Sequence, residues 1–264
     1  MHRLETTFEH LKAKGEKALI AYLMAGDPTL EDTEAYVQQL ADAGADIIEL
    51  GVPFSDPIAD GPVIQQAAER ALRSGTSLKK ILATVRSLRT KTQIPLVLMA
   101  YYNSIFRYGE EAFCRDAVAA GVDGLIVPDM PPDEAGTIRP LAEKAGLDVI
   151  FLLAPTSTAK RQTSVARLSR GFIYYVSLTG ITGAKLTDKA DVGQKVREIR
   201  RYTKTPVAVG FGIATPEDAR EVARIADGVI VGSALVRLIA EGGSAAADKL
   251  ASFTRSFKAA TLTA

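Results

Sequence analysis

Short, almost uninterrupted apolar runs recur along the chain and are separated by segments with helical periodicity. Because the runs do not alternate between apolar and polar positions, they are typical of strands that are buried on both faces of a parallel sheet. The segments between them often begin with a capping residue or a proline and end at a glycine, as real helices do. The eight runs begin at Ala18, Ala45, Ile94, Val122, Asp148, Phe172, Pro206 and Ala226.

Eight strands that alternate with helices in 264 residues predict an α/β fold, a (β/α)8 TIM barrel that forms a single domain over residues 1–264. An open, doubly wound sheet is the alternative. The helical spacing of Leu4, Phe8 and Leu11 predicts an amphipathic N-terminal helix before the first strand. The interval after the second run is the widest, with a proline-rich loop and two helical stretches, and predicts an enlarged, functional loop there.

The second run contains an unusual residue, because Glu49 stands between Ile48 and Leu50. A buried carboxylate is costly unless it has a partner or performs chemistry. The active site of a barrel lies at the carboxyl ends of its strands, and burial there would let Glu49 hold a proton near neutral pH. A buried ion pair with a lysine or an arginine is the structural alternative. Asp60 lies in the following loop and could face back across the barrel mouth, or it could belong to a simple Asp-Gly turn.

Composition excludes several kinds of chemistry. Lys and Arg number 32 and Asp and Glu 31, so the charge gives no argument for a nucleic acid or a membrane surface. The only histidines are His2 and His10, which argues against a Ser-His-Asp triad or a histidine-ligated metal site. No lysine stands at a strand end to form a Schiff base. The one cysteine, Cys114, is expected in the core, and with no long apolar segment the chain is expected to be soluble and cytoplasmic.

The last two strand-to-helix loops predict a phosphate site. Gly210 and Gly212 follow the seventh run, and Gly232 and Ser233 follow the eighth. Small residues let backbone N–H groups approach phosphate oxygens, and a helix N-terminus favours the negative charge. Tight turns are the structural alternative. The Gly- and Thr-rich segment 179–183 after the sixth run predicts a mobile lid, with an ordinary connection as the alternative.

At residues 49–65, the stretch "ELGVPFSDPIADGPVIQ" closely resembles the signature of the tryptophan synthase alpha chain family. The segments "AYLMAGDP", "GITGA", "GFGI" and "GSA" resemble further motifs of that family. The resemblance implies a retro-aldol cleavage of indole-3-glycerol phosphate to indole and glyceraldehyde 3-phosphate, with no cofactor and no metal. It implies that Glu49 is the general acid–base, that Asp60 hydrogen-bonds the indole N–H, and that Thr182 orients Asp60.

The resemblance also implies a substrate pocket and a partner. Tyr174, whose neighbour Tyr175 should face the other side of the strand, supports the catalytic carboxylate. The pocket residues are Tyr22, where many relatives have Phe, and Tyr101 for the indole, and Gly183, Phe211, Gly212, Gly232 and Ser233 for the phosphate. The family forms an α2β2 heterotetramer with a beta chain that uses pyridoxal phosphate, and Pro53 and Asp56 are expected at that contact. The alternatives are a stand-alone lyase, a non-catalytic regulatory subunit, or another barrel enzyme acting on a sugar phosphate.

Overall fold

The described strands form one closed parallel sheet. The computed structural model describes residues 2–177, 189–210 and 212–262. In these residues the sheet order is β5-β4-β3-β2-β1-β9-β8-β7-β6, and each pair of neighbours is parallel. The strands are β1 (Ala18–Met24), β2 (Ile47–Gly51), β3 (Leu96–Met99), β4 (Gly124–Ile126), β5 (Asp148–Ile150), β6 (Leu152–Leu153), β7 (Ile173–Val176), β8 (Val207–Gly210) and β9 (Gly228–Val231).

The two ends of this order belong to one stretch of chain. Only Phe151 separates β5 from β6, and β5 pairs with β4 whereas β6 pairs with β7. The fifth apolar run therefore closes the sheet into a barrel, with a break in its ladder at Phe151. The eight predicted strands and the (β/α)8 barrel are confirmed, and the open-sheet alternative is wrong.

Helices surround the barrel and fill the intervals that the periodicity predicts. α3 and α4 both lie between β2 and β3, which confirms the enlarged connection. None of the described helices is long and apolar enough to cross a membrane. The helices are α1 (Arg3–Lys14), α2 (Leu30–Asp42), α3 (Pro62–Arg73), α4 (Leu78–Leu88), α5 (Tyr102–Tyr108), α6 (Glu110–Ala120), α7 (Ile138–Ala145), α8 (Ala159–Leu168), α9 (Lys189–Arg200), α10 (Pro216–Ala223), α11 (Ser233–Gly242) and α12 (Ala246–Leu262), with a 3-10 turn at Gly243–Ala245.

α1 covers the N-terminal end of the barrel. Its Leu4, Phe8 and Leu11 are buried and pack with the side chains that fill the barrel interior. The ring of Phe8 lies 5.9 Å from that of Phe172, centroid to centroid. The predicted N-terminal helix is thus confirmed, and it covers the end of the barrel that lies opposite the carboxyl ends of the strands.

The core has an inner and an outer layer, which the alternation along each strand separates. Tyr174 packs inside the barrel with Ile20 and Ile150, whereas Tyr175 packs between the sheet and the helices. This confirms that the two tyrosines face opposite sides of β7. Cys114 on α6 lies in the outer layer, where burial raises the pKa of its thiol to about 11, so its predicted core role is confirmed.

Candidate active site

Glu49 lies inside the barrel, at the third of the five residues of β2 and two before its end at Gly51. Its backbone is in register with Tyr22 of β1 and Val97 of β3. The residue is 1% exposed, and among the described residues neither carboxylate oxygen has a hydrogen-bond partner. The alternative of a buried ion pair is therefore not observed in this part of the chain. Burial, aided by the charge of Asp60, raises the pKa of Glu49 to about 8.

Asp60 lies in the loop between β2 and α3, close enough to Glu49 for the two charges to interact. Burial raises the pKa of Asp60 to about 6, and hydrogen bonding to the Tyr101 side chain opposes this rise. The loop is held by Tyr101, whose hydroxyl accepts the Ala59 N–H at 3.0 Å and whose ring stacks on Phe54 at 5.1 Å. The structure therefore brings both predicted carboxylates to one end of the barrel, and the loop does more than form an Asp-Gly turn.

Two tyrosines complete the polar surroundings of Glu49. Tyr22 on β1 and Tyr174 on β7 are both buried, and both have a pKa raised by that burial and by the charges of the two carboxylates. Each hydroxyl lies over a glycine of a strand. A Cβ on Gly51 would lie 2.2 Å from the Tyr22 hydroxyl oxygen, and a Cβ on Gly210 would lie 2.7 Å from that of Tyr174.

Sequence reasoning did not single out Gly51. The signal that could have found it is a glycine at the end of a buried strand, which often marks the close approach of another group. Gly210, which the sequence indicates only as part of a phosphate loop, makes room for the Tyr174 hydroxyl in the same way.

Two of the predicted phosphate residues, Gly232 and Ser233, lie at the start of α11. Gly232 is the N-cap of this helix and makes no side-chain capping hydrogen bond to the first turn, which begins at Ser233. Gly212 has a left-handed φ of 76° in the loop after β8. The N-terminus of a helix presents unpaired N–H groups and a favourable dipole to an anion. Gly232 also borders Tyr22, since a Cβ on this glycine would lie 3.6 Å from the Tyr22 Cβ.

Several predicted residues lie outside the described part of the chain. They are Thr182 and Gly183 in the predicted lid and Phe211 in the loop after β8. The lid itself, residues 179–183, lies outside it as well. The roles assigned to these residues therefore stay predictions.

The fold and the site together define a class of protein. This is a (β/α)8 barrel enzyme with two interacting carboxylates at the C-terminal mouth of the barrel, beside an uncapped helix N-terminus suited to a phosphate. Similarity to known proteins identifies the family within this class. The family model described as tryptophan synthase alpha chain matches residues 8–262.

Relatives and solved structures agree with this match. The tryptophan synthase alpha chain of Geotalea daltonii is 54% identical over 260 residues, covering 98% of each chain, and that of Geobacter sulfurreducens is 56% identical over 90% of each. The crystal structure of tryptophan synthase subunit alpha from Legionella pneumophila superimposes with a TM-score of 0.94 at 40% identity over 100% of both chains. A structure of Mycobacterium tuberculosis tryptophan synthase matches with a TM-score of 0.92, 40% identity and 98% coverage of both chains.

The chain belongs to the tryptophan synthase alpha chain family. It has the function of that subunit in tryptophan biosynthesis, and it is a carbon–carbon lyase, an indole-3-glycerol-phosphate lyase. The remaining question is how its own residues carry out the cleavage.

Proposed function

We propose that Glu49 is the general acid–base of a retro-aldol cleavage. Its protonated carboxyl gives a proton to C3 of the indole, which turns the ring into an iminium-like acceptor. The bond between C3 and the side-chain carbinol carbon then breaks, and its electron pair returns to the ring. The carbinol O–H loses its proton to Glu49 and becomes the aldehyde of glyceraldehyde 3-phosphate. The substrate supplies its own electron acceptor, so that the step requires only proton transfers.

One observation carries this proposal. Glu49 is buried in the barrel with both carboxylate oxygens unpaired among the described residues, and its pKa is raised to about 8. A carboxyl group with that pKa is mostly protonated at neutral pH, yet it ionises readily enough to take a proton back. A structural carboxylate would instead have a cationic or hydrogen-bonded partner.

Asp60 supplies the charge that the reaction needs at the ring nitrogen. With a pKa of about 6, it is mostly ionised at neutral pH. As a carboxylate it accepts a hydrogen bond from the indole N–H and stabilises the positive charge that develops there. Thr182, which lies outside the described residues, is the residue proposed to orient this carboxylate, and Tyr174 supports Glu49 from β7.

The remaining residues bind the two ends of the substrate. Tyr22 and Tyr101 border the indole. Backbone N–H groups of Gly212, Gly232 and Ser233 bind the phosphate, together with those of Gly183 and Phe211. The uncapped first turn of α11 supports this assignment.

We also propose an α2β2 heterotetramer in the cytoplasm, in which a beta chain receives the indole. The similarity to M. tuberculosis tryptophan synthase supports a partner. The loop after β2 offers a contact surface, since its Ile58 is 82% exposed and Asp56 is exposed as well, whereas Pro53 is buried. A stand-alone lyase is the second candidate, and co-elution with a beta chain separates the two. The single-domain organisation over residues 1–264 stays a prediction.

The purified chain is incubated with indole-3-glycerol phosphate, alone and with a beta chain, and released indole is assayed. We expect slow release alone, a large rise with the partner, and a loss of about a thousandfold in Glu49→Gln, which keeps the shape of the side chain but cannot transfer the proton. Glu143→Gln, at an exposed pair on α7, is the matched control and should retain full activity. Fast release that no partner changes would favour the stand-alone lyase, and an active Glu49→Gln would refute the mechanism.

A further inference from the structure

Tyr22 extends across the site from the phosphate end to the carboxylate end. Near its backbone, the side chain borders Gly232, the N-cap of α11, with 3.6–3.7 Å from a Cβ built there to the Cβ, Cγ and Cδ1 of Tyr22. At its far end, the hydroxyl lies over Gly51, with 2.2 Å from a Cβ built there to the oxygen. One ring therefore spans the interval between the helix N-terminus and β2.

The hydroxyl end of Tyr22 lies on the same face of β2 as Glu49. Residues two apart on a strand point to the same side, so Glu49 and Gly51 both face the barrel interior. Because the hydroxyl lies over Gly51, it stands one step toward the mouth from Glu49. Charge interactions of Tyr22 with Glu49 and Asp60 agree with this position.

The hydroxyl is available to a ligand. Among the described residues it has no hydrogen-bond partner, and the pKa of Tyr22 is raised by burial and by the charges of nearby groups without any hydrogen bond. The side chain is largely buried, at 7% exposure, at the same end of the barrel as Glu49 and Asp60. A hydrogen-bond donor that borders a binding site is expected to pair with a polar atom of the bound ligand.

We propose that the Tyr22 hydroxyl donates a hydrogen bond to the carbinol oxygen of indole-3-glycerol phosphate, at the bond that is cleaved. The inference rests on the proposed function, because it requires that the phosphate of the substrate binds at Gly232 and that C3 of its indole lies at Glu49. The glycerol phosphate side chain of a substrate bound between Gly232 and Glu49 runs along the Tyr22 ring. Its carbinol oxygen then lies next to the Tyr22 hydroxyl. As the O–H gives up its proton, negative charge grows on this oxygen, and a fixed donor stabilises it.

The chemistry of Tyr22 suits a donor. Burial and the two carboxylates raise its pKa well above that of a free tyrosine, so the phenol keeps its proton at neutral pH. Gly51 is the structural requirement, since any larger residue would occupy the position of the hydroxyl. Tyr22 is thus assigned as a further catalytic residue that contacts the reacting atoms.

The test compares Tyr22→Phe with the wild-type chain on two ligands. The first is indole-3-glycerol phosphate, assayed for kcat and KM with the partner chain present. The second is indole-3-propyl phosphate, which lacks both side-chain hydroxyls, measured by its inhibition constant. We expect kcat/KM to fall about tenfold, mostly through kcat, because one hydrogen bond to a developing charge is lost. The inhibition constant should change less than twofold. Tyr175→Phe, which removes a hydroxyl on the opposite face of the sheet, should leave both values unchanged.

Three results would overturn the proposal. An equal loss of affinity for the analogue would make Tyr22 a packing residue. A shift of the alkaline limb of the pH profile of kcat/KM would mean that the hydroxyl acts through Glu49. Wild-type kinetics in Tyr22→Phe, while Glu49→Gln is inactive, would refute this role alone. An active Glu49→Gln would instead refute the proposed function, so the two failures are distinguishable.

Discussion

At the scale of single residues, the site depends on two carboxylates that burial affects to different extents. Glu49 is enclosed by the barrel and has no partner among the described residues, whereas Asp60 is half-buried in a loop and receives hydrogen bonding from Tyr101. The same physical cause, the loss of hydration, raises the pKa of both, but it raises that of Glu49 further. One carboxyl is therefore an acid and the other an anion at the same pH.

This difference predicts a bell-shaped pH profile of kcat/KM. Activity should rise as Asp60 ionises near pH 6 and fall as Glu49 loses its proton near pH 8, since the reaction needs ionised Asp60 and protonated Glu49. Because the two carboxyl groups interact, the pKa values that the two limbs of the profile report belong to the pair and not to either residue alone. Initial rates of indole release at low substrate concentration, between pH 5 and 10, check this prediction. A rate that continues to rise well above pH 8 would contradict it.

At the scale of elements, the loop after β2 depends on a contact from the neighbouring strand. Tyr101 follows β3, accepts the Ala59 N–H, stacks on Phe54 and interacts with Asp60. The segment after one strand thus fixes the loop after another, so that Asp60 is held in place without being part of any regular element.

Tyr101→Phe is expected to weaken this support and to shift one limb of the pH profile. Loss of the hydroxyl removes the hydrogen bonding that lowers the pKa of Asp60, so this pKa should rise above about 6 and the acid limb should move to higher pH. The alkaline limb should stay in place because Glu49 does not contact Tyr101 through a hydrogen bond. KM should rise several-fold as the loop loses its anchor at Ala59. Tyr102→Phe, which removes a hydroxyl bonded to Glu110 on the outside, is the matched control. An unmoved acid limb would contradict the assigned contact.

The elements also show how far sequence reasoning can reach. The sequence predicts a special role for Glu49 because a single carboxylate in an apolar run violates the local pattern, and it predicts the barrel because strands and helices alternate in a regular series. The contact of Ala59 with Tyr101 joins residues far apart in sequence and leaves no periodic trace. The break at Phe151 arises where one strand pairs with two different neighbours, which depends on closure of the whole sheet.

At the scale of the whole molecule, we expect one end of the barrel to serve catalysis and the other end to serve stability. The C-terminal end contains the two carboxylates and the start of α11, where we propose that the phosphate binds, and the N-terminal end is covered by α1. Arg3 at the start of α1 bonds Asp123 at 2.9 Å, and Arg89 bonds the same carboxylate at 2.6 Å, so this covering helix is tied to the chain on either side of β3. Changes at this end should therefore alter stability and leave catalysis intact.

Leu4→Ala tests this separation. Leu4 is fully buried beneath the barrel, and its truncation removes apolar contacts and leaves a cavity, which should lower the free energy of unfolding by about 3 kcal/mol. Because the cavity lies at the end remote from Glu49, kcat and KM for indole-3-glycerol phosphate should stay within twofold of wild type under conditions where the variant is folded. Urea denaturation followed by circular dichroism measures the first quantity and indole release the second. Leu262→Ala, at a residue 45% exposed on α12, is the control and should cost far less stability. A large fall in kcat without a loss of stability would show that α1 is coupled to the active site. It would contradict the prediction that the N-terminal end of the barrel affects stability and not catalysis.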